Sequence, residues 1–289
     1  MTLSNFIPNI WSARLLENLN AAHVYANLCN RDYEGEIRGV GDTVKINSIG
    51  HVTIDNYTKN TNMSAAETLT DAQTLLVINI AKYFNFVVDD IDAVQSKPKV
   101  MDAAMRDAAW GLADSIDAGI AALHSAVPND NKIGADGASA KLGLVLTAGS
   151  AMYDYLVDLA TILDNNNTPH QDRWVVVPPW AHGALLKDSR FVNATPAGND
   201  ILRNGIIGQA AGFNVYMSNN VTNDAQSVKT YRILAGYTGS ISYAEQITSV
   251  EAYRPELRFG DAVKGLLVCG YKTVRPSTLA CLYAKNAAS

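Results

Sequence analysis

The stretch that most constrains this chain is a β-rich, alternating segment near its front with no surface of its own to bury. Thr43-Val-Lys-Ile-Asn-Ser-Ile49 alternates polar and apolar residues, as does Val52-Thr-Ile-Asp-Asn-Tyr57. Both read as strands. After the polar stretch Thr58-Lys-Asn-Thr-Asn-Met-Ser-Ala-Ala-Glu67, a second β-rich run extends from Thr70 to Val88 and contains Leu75-Leu-Val-Ile78 and Tyr83-Phe-Asn-Phe-Val-Val88. The simplest pairing is a hairpin with residues 58 to 69 at its tip. An isolated hairpin is marginally stable in water, and exposed strand edges are templates for pairing with another chain. The pattern therefore predicts a protein that finishes folding by joining copies of itself.

With 289 residues, 48% hydrophobic and 18% charged, the chain has material for a real core in one or two domains. The start, Met1-Thr-Leu-Ser-Asn-Phe-Ile-Pro-Asn-Ile10, lacks the basic opening and apolar run of a signal peptide. No segment approaches the ~20 apolar residues that cross a bilayer. These features predict a soluble chain made inside the cell, with no membrane partner. Cys29, Cys269 and Cys281 are too few and too scattered for a disulfide scaffold or a CxxC metal site, and are expected to be buried free thiols. The net charge of -5 argues against tight nucleic-acid binding, which draws its affinity from Lys and Arg on phosphates. It suits a protein that only has to contain DNA.

Further along, Trp11, Leu15, Leu16, Leu19 and His23 fall at helical spacing after Pro8, so residues 1 to 33 read as an arm whose apolar stripe needs a partner. Past Lys97-Pro98, Met101, Met105, Ala108, Leu112, Ile116, Ile120 and Leu123 recur at three- and four-residue steps, with Asp102, Arg106, Asp114 and Asp117 off the stripe. A helix from about Lys99 to about Ala126 would be ~40 Å long. The loop Pro128-Asn-Asp-Asn-Lys-Ile-Gly-Ala-Asp-Gly-Ala138 opens a stretch where helix (149 to 164), strand (Trp174-Val-Val-Val177) and a second helix with prolines in its first turn (from Pro178) alternate. The tail returns to β structure at Ile247 to Tyr253 and Val263 to Tyr271, with a turn around Phe259-Gly-Asp261 and a last short strand after Arg275-Pro276.

Candidate chemistry is sparse. Asp89-Asp90-x-Asp92 is the most site-like group, since closely spaced acids can hold a divalent cation, but it stands where a strand gives way to a helical turn and lacks the calcium-loop glycine. Helix capping accounts for it. Gly35, Gly39 and Gly41 precede strands and no helix, so they read as a flexible joint and not a phosphate cradle. His23, His51, His124, His170 and His182 show no HxxxH or HExxH spacing, which leaves His170 and His182 as a pair that only the fold could bring together. Asp164-Asn-Asn-Asn-Thr168 and Ser218-Asn-Asn220 look like turns, and no serine sits in a GxSxG elbow. No catalytic, cofactor-binding or metal-binding residue is assigned, and no enzyme activity or cofactor is expected.

The order of parts (arm, β-ribbon, long helix, α/β insert, closing β-region) resembles the major capsid protein of tailed double-stranded-DNA bacteriophages, a coat fold shared with encapsulin shells and the herpesvirus capsid floor. Phe6-Ile-Pro-Asn-Ile-Trp-Ser-Ala-Arg14, Asn30-Arg-Asp-Tyr-Glu-Gly-Glu-Ile37, Gly41-Asp-Thr-Val-Lys-Ile-Asn47, Leu69-Thr-Asp-Ala-Gln73 and Arg258-Phe-Gly-Asp-Ala-Val-Lys-Gly265 are similar to stretches of that family, in order and across essentially the whole chain. The resemblance implies an α+β fold with an N-terminal arm (1-33), an extended β-ribbon loop (34-88), a peripheral domain with a long spine helix (89-129 and 247-289) and an axial α/β domain (130-246). It implies a structural coat protein whose copies form pentamers and hexamers of an icosahedral shell around double-stranded DNA, bound without sequence specificity. The expected place is the virion capsid, assembled in the host cytoplasm.

Because the arm begins almost at Met1, the resemblance further implies a separate scaffolding protein, a portal, no N-terminal processing, and room for a decoration protein. Two rivals stand beside it. An encapsulin-like shell would have the same fold around an enzyme cargo. A soluble α/β enzyme using residues around Trp174 to His182 would be a compact small oligomer with a deep polar pocket.

Overall fold

The computed structural model describes residues 23–34, 41–49, 54, 56, 59, 60, 62, 71–89, 99–134, 144–146, 150–188, 208–224, 229–256 and 260–286. The helical stripe Trp11 to Leu19, Gly35, Gly39, His51, Asp90 and Asp92 lie outside the described residues.

The expected ribbon is present at its root. Strands β1 (Thr43–Ile49) and β2 (Asp71–Val77) pair antiparallel, with Thr43 opposite Val77 and Ile49 opposite Asp71. The root is closed by Gly41 N–H donating to Ile78 O (2.8 Å) and Ile78 N–H donating to Asp42 O (2.9 Å). Gly41 has φ +96°, a conformation that side chains disfavour, which is why glycine serves where the chain turns into β1.

Two expectations about this region are corrected. The run from Thr70 to Val88 is not one ribbon arm: it divides near Asn79, and β3 (Ile80–Asp89) leaves the ribbon to pair with β11 (Gly260–Thr273) from Ile80 opposite Cys269 to Asp89 opposite Gly260. Nor does the ribbon lack intrachain support. Val44, Ile46, Leu76 and Ile78 share one face and bury it on Ala244 and Val268 of the neighbouring sheet. Strand alternation selects that face, and the opposite one leaves Leu75 and Val77 about two-fifths exposed.

Strand β11 is central in a three-stranded antiparallel sheet, β10 (Ile241–Tyr253), β11, β3. Helix α1 (Lys99–Ala121), continued by a 3-10 turn (Ala122–Ala126), is the expected long helix. Met105 and Ala109 pack on Val250 and Val263, with Phe84 and Phe86 against them. The seven-stranded sheet runs β4 (Lys132–Ile133), β12 (Ala280–Asn286), β9 (Thr230–Tyr237), β6 (Arg173–Val177), β8 (Phe213–Met217), β7 (Gln209–Ala210), with β5 (Leu144–Leu146) also on β12. β6 is buried along its whole length, as its run of valines anticipates for an interior strand. Helices α2 (Ser150–Asn165) and α3 (Pro179–Leu186) flank this sheet, and α2 sends Met152, Leu156, Leu159 and Leu163 into the main core.

The two sheets share two adjacent crossings, Thr238–Ser240 between β9 and β10 and Pro276–Thr278 between β11 and β12. Ser240 Oγ lies 2.7 Å from Thr278 Oγ1, and Val274 N–H donates to Ser240 O (2.9 Å), tying the crossings together.

The ribbon root sits so close to β11 that a methyl group on Gly270 would meet Val77 O at 2.6 Å and Ile78 Cδ1 at 2.8 Å. Gly270→Ala is therefore expected to destabilise the subunit by about 1–3 kcal/mol, because a strand carbonyl cannot yield without breaking its ladder. Urea unfolding of the variant beside wild type measures it, and an unchanged midpoint would show that the ribbon root is not seated on β11.

Candidate functional site

The polar residues that matter most in this fold lie at the junction of three segments: residues 23–34, helix α1 and strand β10. Asp117 on α1 is buried, where the sequence pattern places it off the apolar stripe. The correction has a geometric cause. Asp117 stands one turn from both Ala113 and Ala121, which are also buried, because α1 is covered by residues 23–34 as well as by the sheet.

Its carboxylate accepts the backbone N–H of Val24 at Oδ2 (2.7 Å) and that of Ala26 at Oδ1 (3.2 Å). It thereby caps, from a distant helix, the 3-10 turn Ala26–Leu28, which makes no side-chain cap of its own. His23 Nδ1 lies 3.3 Å from Asp117 Oδ1, and its Nε2 lies 3.6 Å from Glu245 Oε2, the second distance being an electrostatic contact beyond hydrogen-bond length. Glu245, on β10, is also buried; Tyr243 Oη donates to its Oε2 (2.5 Å) and Arg31 Nη2 donates to its Oε1. Arg31 in turn donates through Nε to Glu34 Oε1 (2.5 Å), with its guanidinium 5.5 Å from the Tyr243 ring centroid. Main chain joins the same elements: Asn30 N–H donates to Ile241 O and Tyr243 N–H to Asn30 O, both at 2.9 Å.

Charge and burial oppose each other here. Burial alone would push the His23 imidazole toward its neutral form, but the Asp117 and Glu245 carboxylates outweigh it and hold the imidazole above its ordinary value of 6.5. Burial would likewise raise Glu245, yet His23, Tyr243 and Arg31 hold it below the usual 4.5. For Glu34, burial prevails over Arg31 and the carboxyl is raised. The signs fix a window. A raised His23 contributes stability that is complete below about pH 6.5 and fades as pH rises through its folded value; a lowered Glu245 contributes stability that is complete above about 4.5 and fades as pH falls through its own. The junction is tightest in mild acid, between those limits.

The remaining sequence candidates are dispersed. Asp89 ends β3 opposite Gly260. His170 is largely exposed, 3.6 Å from Asp164, whose Oδ1 also accepts Arg173 Nη2 (2.7 Å). Arg173 bonds the carbonyls of Thr168 (2.6 Å) and Pro169 (2.8 Å), fastening the α2–β6 loop. His182 belongs to α3, with partial burial holding its imidazole below the ordinary value. His124 sits in the 3-10 turn after α1, held low first by burial, with Nδ1 3.2 Å from Ala121 O. Asn220 Nδ2 donates to Asp114 Oδ1 (2.8 Å), so the Ser218–Asn220 turn is anchored to α1. The three cysteines are free and buried, as expected, and burial pushes the thiols of Cys269 and Cys281 up to about 12. Among the described residues no three His, Cys, Asp or Glu side chains are grouped to hold a metal ion, and no helix is long and apolar enough to cross a membrane.

Glu245 escaped sequence reading altogether, and Asp117 was assigned to the wrong face. The available signal was a carboxylate at the second position after Tyr243 on a strand otherwise buried from Ile241 to Ala244.

A protein-family model described as phage capsid protein matches residues 74–282. Comparison with curated proteins finds no match. Among solved structures, one from Mycobacterium phage Che8 is similar at 28% identity and TM-score 0.70, covering 90% of each chain. The capsid structure of the cyanophage P-SCSP1u is similar at 18% identity and TM-score 0.66, over 86% of this chain and 85% of that one. An encapsulin complex from Synechococcus elongatus PCC 7942 shares the fold at 13% identity and TM-score 0.54, over 86% and 83%.

Proposed function

This chain belongs to the phage capsid protein family and is a major capsid protein, a structural shell subunit, and on that premise we propose that its copies join through arm and ribbon into pentamers and hexamers enclosing double-stranded DNA. In that reading residues 1–33 are the arm, 34–88 the extended loop, 89–129 with 247–289 the peripheral domain and 130–246 the axial domain; by strand pairing, β3 works with the peripheral sheet and β12 with the axial one. Arm and ribbon give each subunit two limbs reaching different neighbours, as closed heterologous rings require. Many weak contacts, linked by the limbs, then add through effective concentration. Assembly takes place in the host cytoplasm on a separate scaffolding protein and around a portal, and the enclosed DNA is held without sequence recognition, in keeping with the net charge of -5. Contact surfaces stand in place of a catalytic site.

The observation that carries this reading, beside family membership, is apolar surface left open on the subunit. Trp110 is 60% exposed in the middle of α1. On the sheet face turned away from α1, Tyr83 is 78% exposed, and Val87 and Tyr253 flank Ala262 across the ladder, each more than a third exposed. Such faces mark protein contacts. Electron microscopy of the purified protein is expected to show closed shells of many subunits, with genome-length DNA in particles from infected cells. A small compact oligomer would overturn the reading, and shells filled with one co-purifying enzyme would move it to the encapsulin alternative. The paired variant Trp110→Ser with Tyr83→Ser should keep subunit stability within about 1 kcal/mol, since both side chains are exposed, while lowering the yield of shells.

A further inference from the structure

His23 is placed where only its charged form fits. A neutral imidazole has one N–H and one lone pair, so between two carboxylates one of its nitrogens would turn a lone pair toward a negative oxygen. Here Nδ1 faces Asp117 at 3.3 Å and Nε2 faces Glu245 at 3.6 Å, with the His23 side chain fully buried and both carboxylates about 3% exposed. Only the imidazolium supplies a donor to each side. Among the described residues, His23 is also the one side chain at this junction that touches both carboxylates: Asp117 holds the backbone of Val24 and Ala26, while Glu245 holds Arg31 and Tyr243.

We propose that His23 is a proton-operated latch on the root of the arm: charged, it clamps residues 23–34 between α1 and β10, and on losing its proton it turns one carboxylate against itself and lets that segment loosen. The groups facing it are, on its own segment, Tyr25, Cys29, Arg31 and Glu34; on α1, Asp117; on β10, Tyr243 and Glu245; and behind these the thiols of Cys269 on β11 and Cys281 on β12. Among the described residues, with His23 and Arg31 charged, the three carboxylates Asp117, Glu245 and Glu34 exceed the cations by one. When His23 is neutral they exceed them by two, and the two carboxylates that face His23 are the ones shut away from water. Tyr25 and Tyr243 stay neutral, since burial and the carboxylates both favour their protonated forms, and so neither add to that excess nor offset it. The segment that loosens is residues 23–34, which Asp117 and Glu245 hold from two different elements, so the latch sets how firmly that segment is seated on the subunit body. It operates within one subunit and does not depend on the shell reading.

The test uses the full-length chain as isolated subunits, so that its failure is distinct from a failure to assemble. The amides of Val24 and Ala26 donate to Asp117, and their hydrogen exchange reports the clamp. After correction for intrinsic rates, these amides in wild type are expected to exchange about 10-fold faster near pH 9 than near pH 6, the order of factor that loss of one hydrogen bond to a charged group gives, while amides of β6 are unchanged. In His23→Gln the pH dependence should fall to less than about twofold, and in Glu245→Gln the wild-type transition should move to lower pH. Val24 and Ala26 protection that is flat with pH in wild type, the same profile in His23→Gln, or loosening of β6 in step with them would each overturn the latch. Should His23→Gln fail to fold, exchange of the imidazole C2 hydrogen in wild type decides the question: a His23 midpoint above 6.5 supports the latch, and one at or below 6.5 overturns it.

Discussion

Deletion of residues 55–70 is expected to leave a subunit that folds and melts like wild type but makes no stable shells. The register of the ribbon root allows the shortened loop to close. Ile49 stands opposite Asp71, so removing 55–70 leaves Gly50 to Ile54 to join the strands. Five residues close a hairpin without strain. The buried face of the root, Val44, Ile46, Leu76 and Ile78 on Ala244 and Val268, is untouched, so the stability this face contributes remains. On the proposed reading of the ribbon as an assembly limb, the deletion removes a contact between copies, and with it the avidity that makes many weak contacts add up. Circular dichroism melting of the deletion beside wild type, followed by sedimentation and electron microscopy under assembly conditions, checks both halves. Particles of wild-type size and yield would show that the ribbon is no assembly limb.

The largest effect on the subunit itself is expected from Asp117→Ala. Removing this carboxylate orphans the part-buried N–H of Val24 and the buried N–H of Ala26 and leaves His23 with Glu245 alone. Breaking a buried charge pair by deleting one partner costs about 3–5 kcal/mol, far above what an exposed pair is worth. Asp117→Asn keeps an acceptor for one backbone N–H and removes the charge, so its cost should be nearer 1–3 kcal/mol, in the range of an unsatisfied buried group. Asp114→Ala serves as the contrast: three residues earlier on the same helix, it forfeits a partly buried bond to Asn220 and should cost about 1 kcal/mol. Chemical unfolding of the three variants orders them. If Asp117→Ala and Asp114→Ala proved equal, the carboxylate of Asp117 would not be what fastens residues 23–34 to the helix. Acid should act in the same direction as these substitutions, because below about pH 4.5 Glu245 begins to lose the stabilising charge that its lowered folded value reports.

Much of the architecture was legible in the sequence because it rests on local periodicity. Stripes of three- and four-residue spacing gave α1 and α2, and the valine run gave β6. Alternation gave β1 and the ribbon's existence, and composition gave the buried free thiols. These patterns record which face of an element is buried, and burial of a face is decided residue by residue along the chain. Division of the run from Thr70 to Val88 was not legible, since both halves alternate equally well and nothing local says that β2 keeps to the ribbon while β3 crosses to a strand some 180 residues later in sequence.

The same limit explains the junction at His23. Read alone, His23 closes an apolar stripe, Asp117 lies off the helix's stripe and Glu245 is an ordinary strand residue. Their meaning comes from sequence separations of 94 and more, closed only when β10 and α1 meet residues 23–34. A charge in water is cheap almost anywhere along a chain, whereas a charge in the interior persists only beside its partner. The sequence by itself determined most of the elements and the apolar stripes they bury. Which buried charges face one another was decided by the tertiary structure alone, because pairing in a low-dielectric interior is a property of distance in space and leaves no period in the chain.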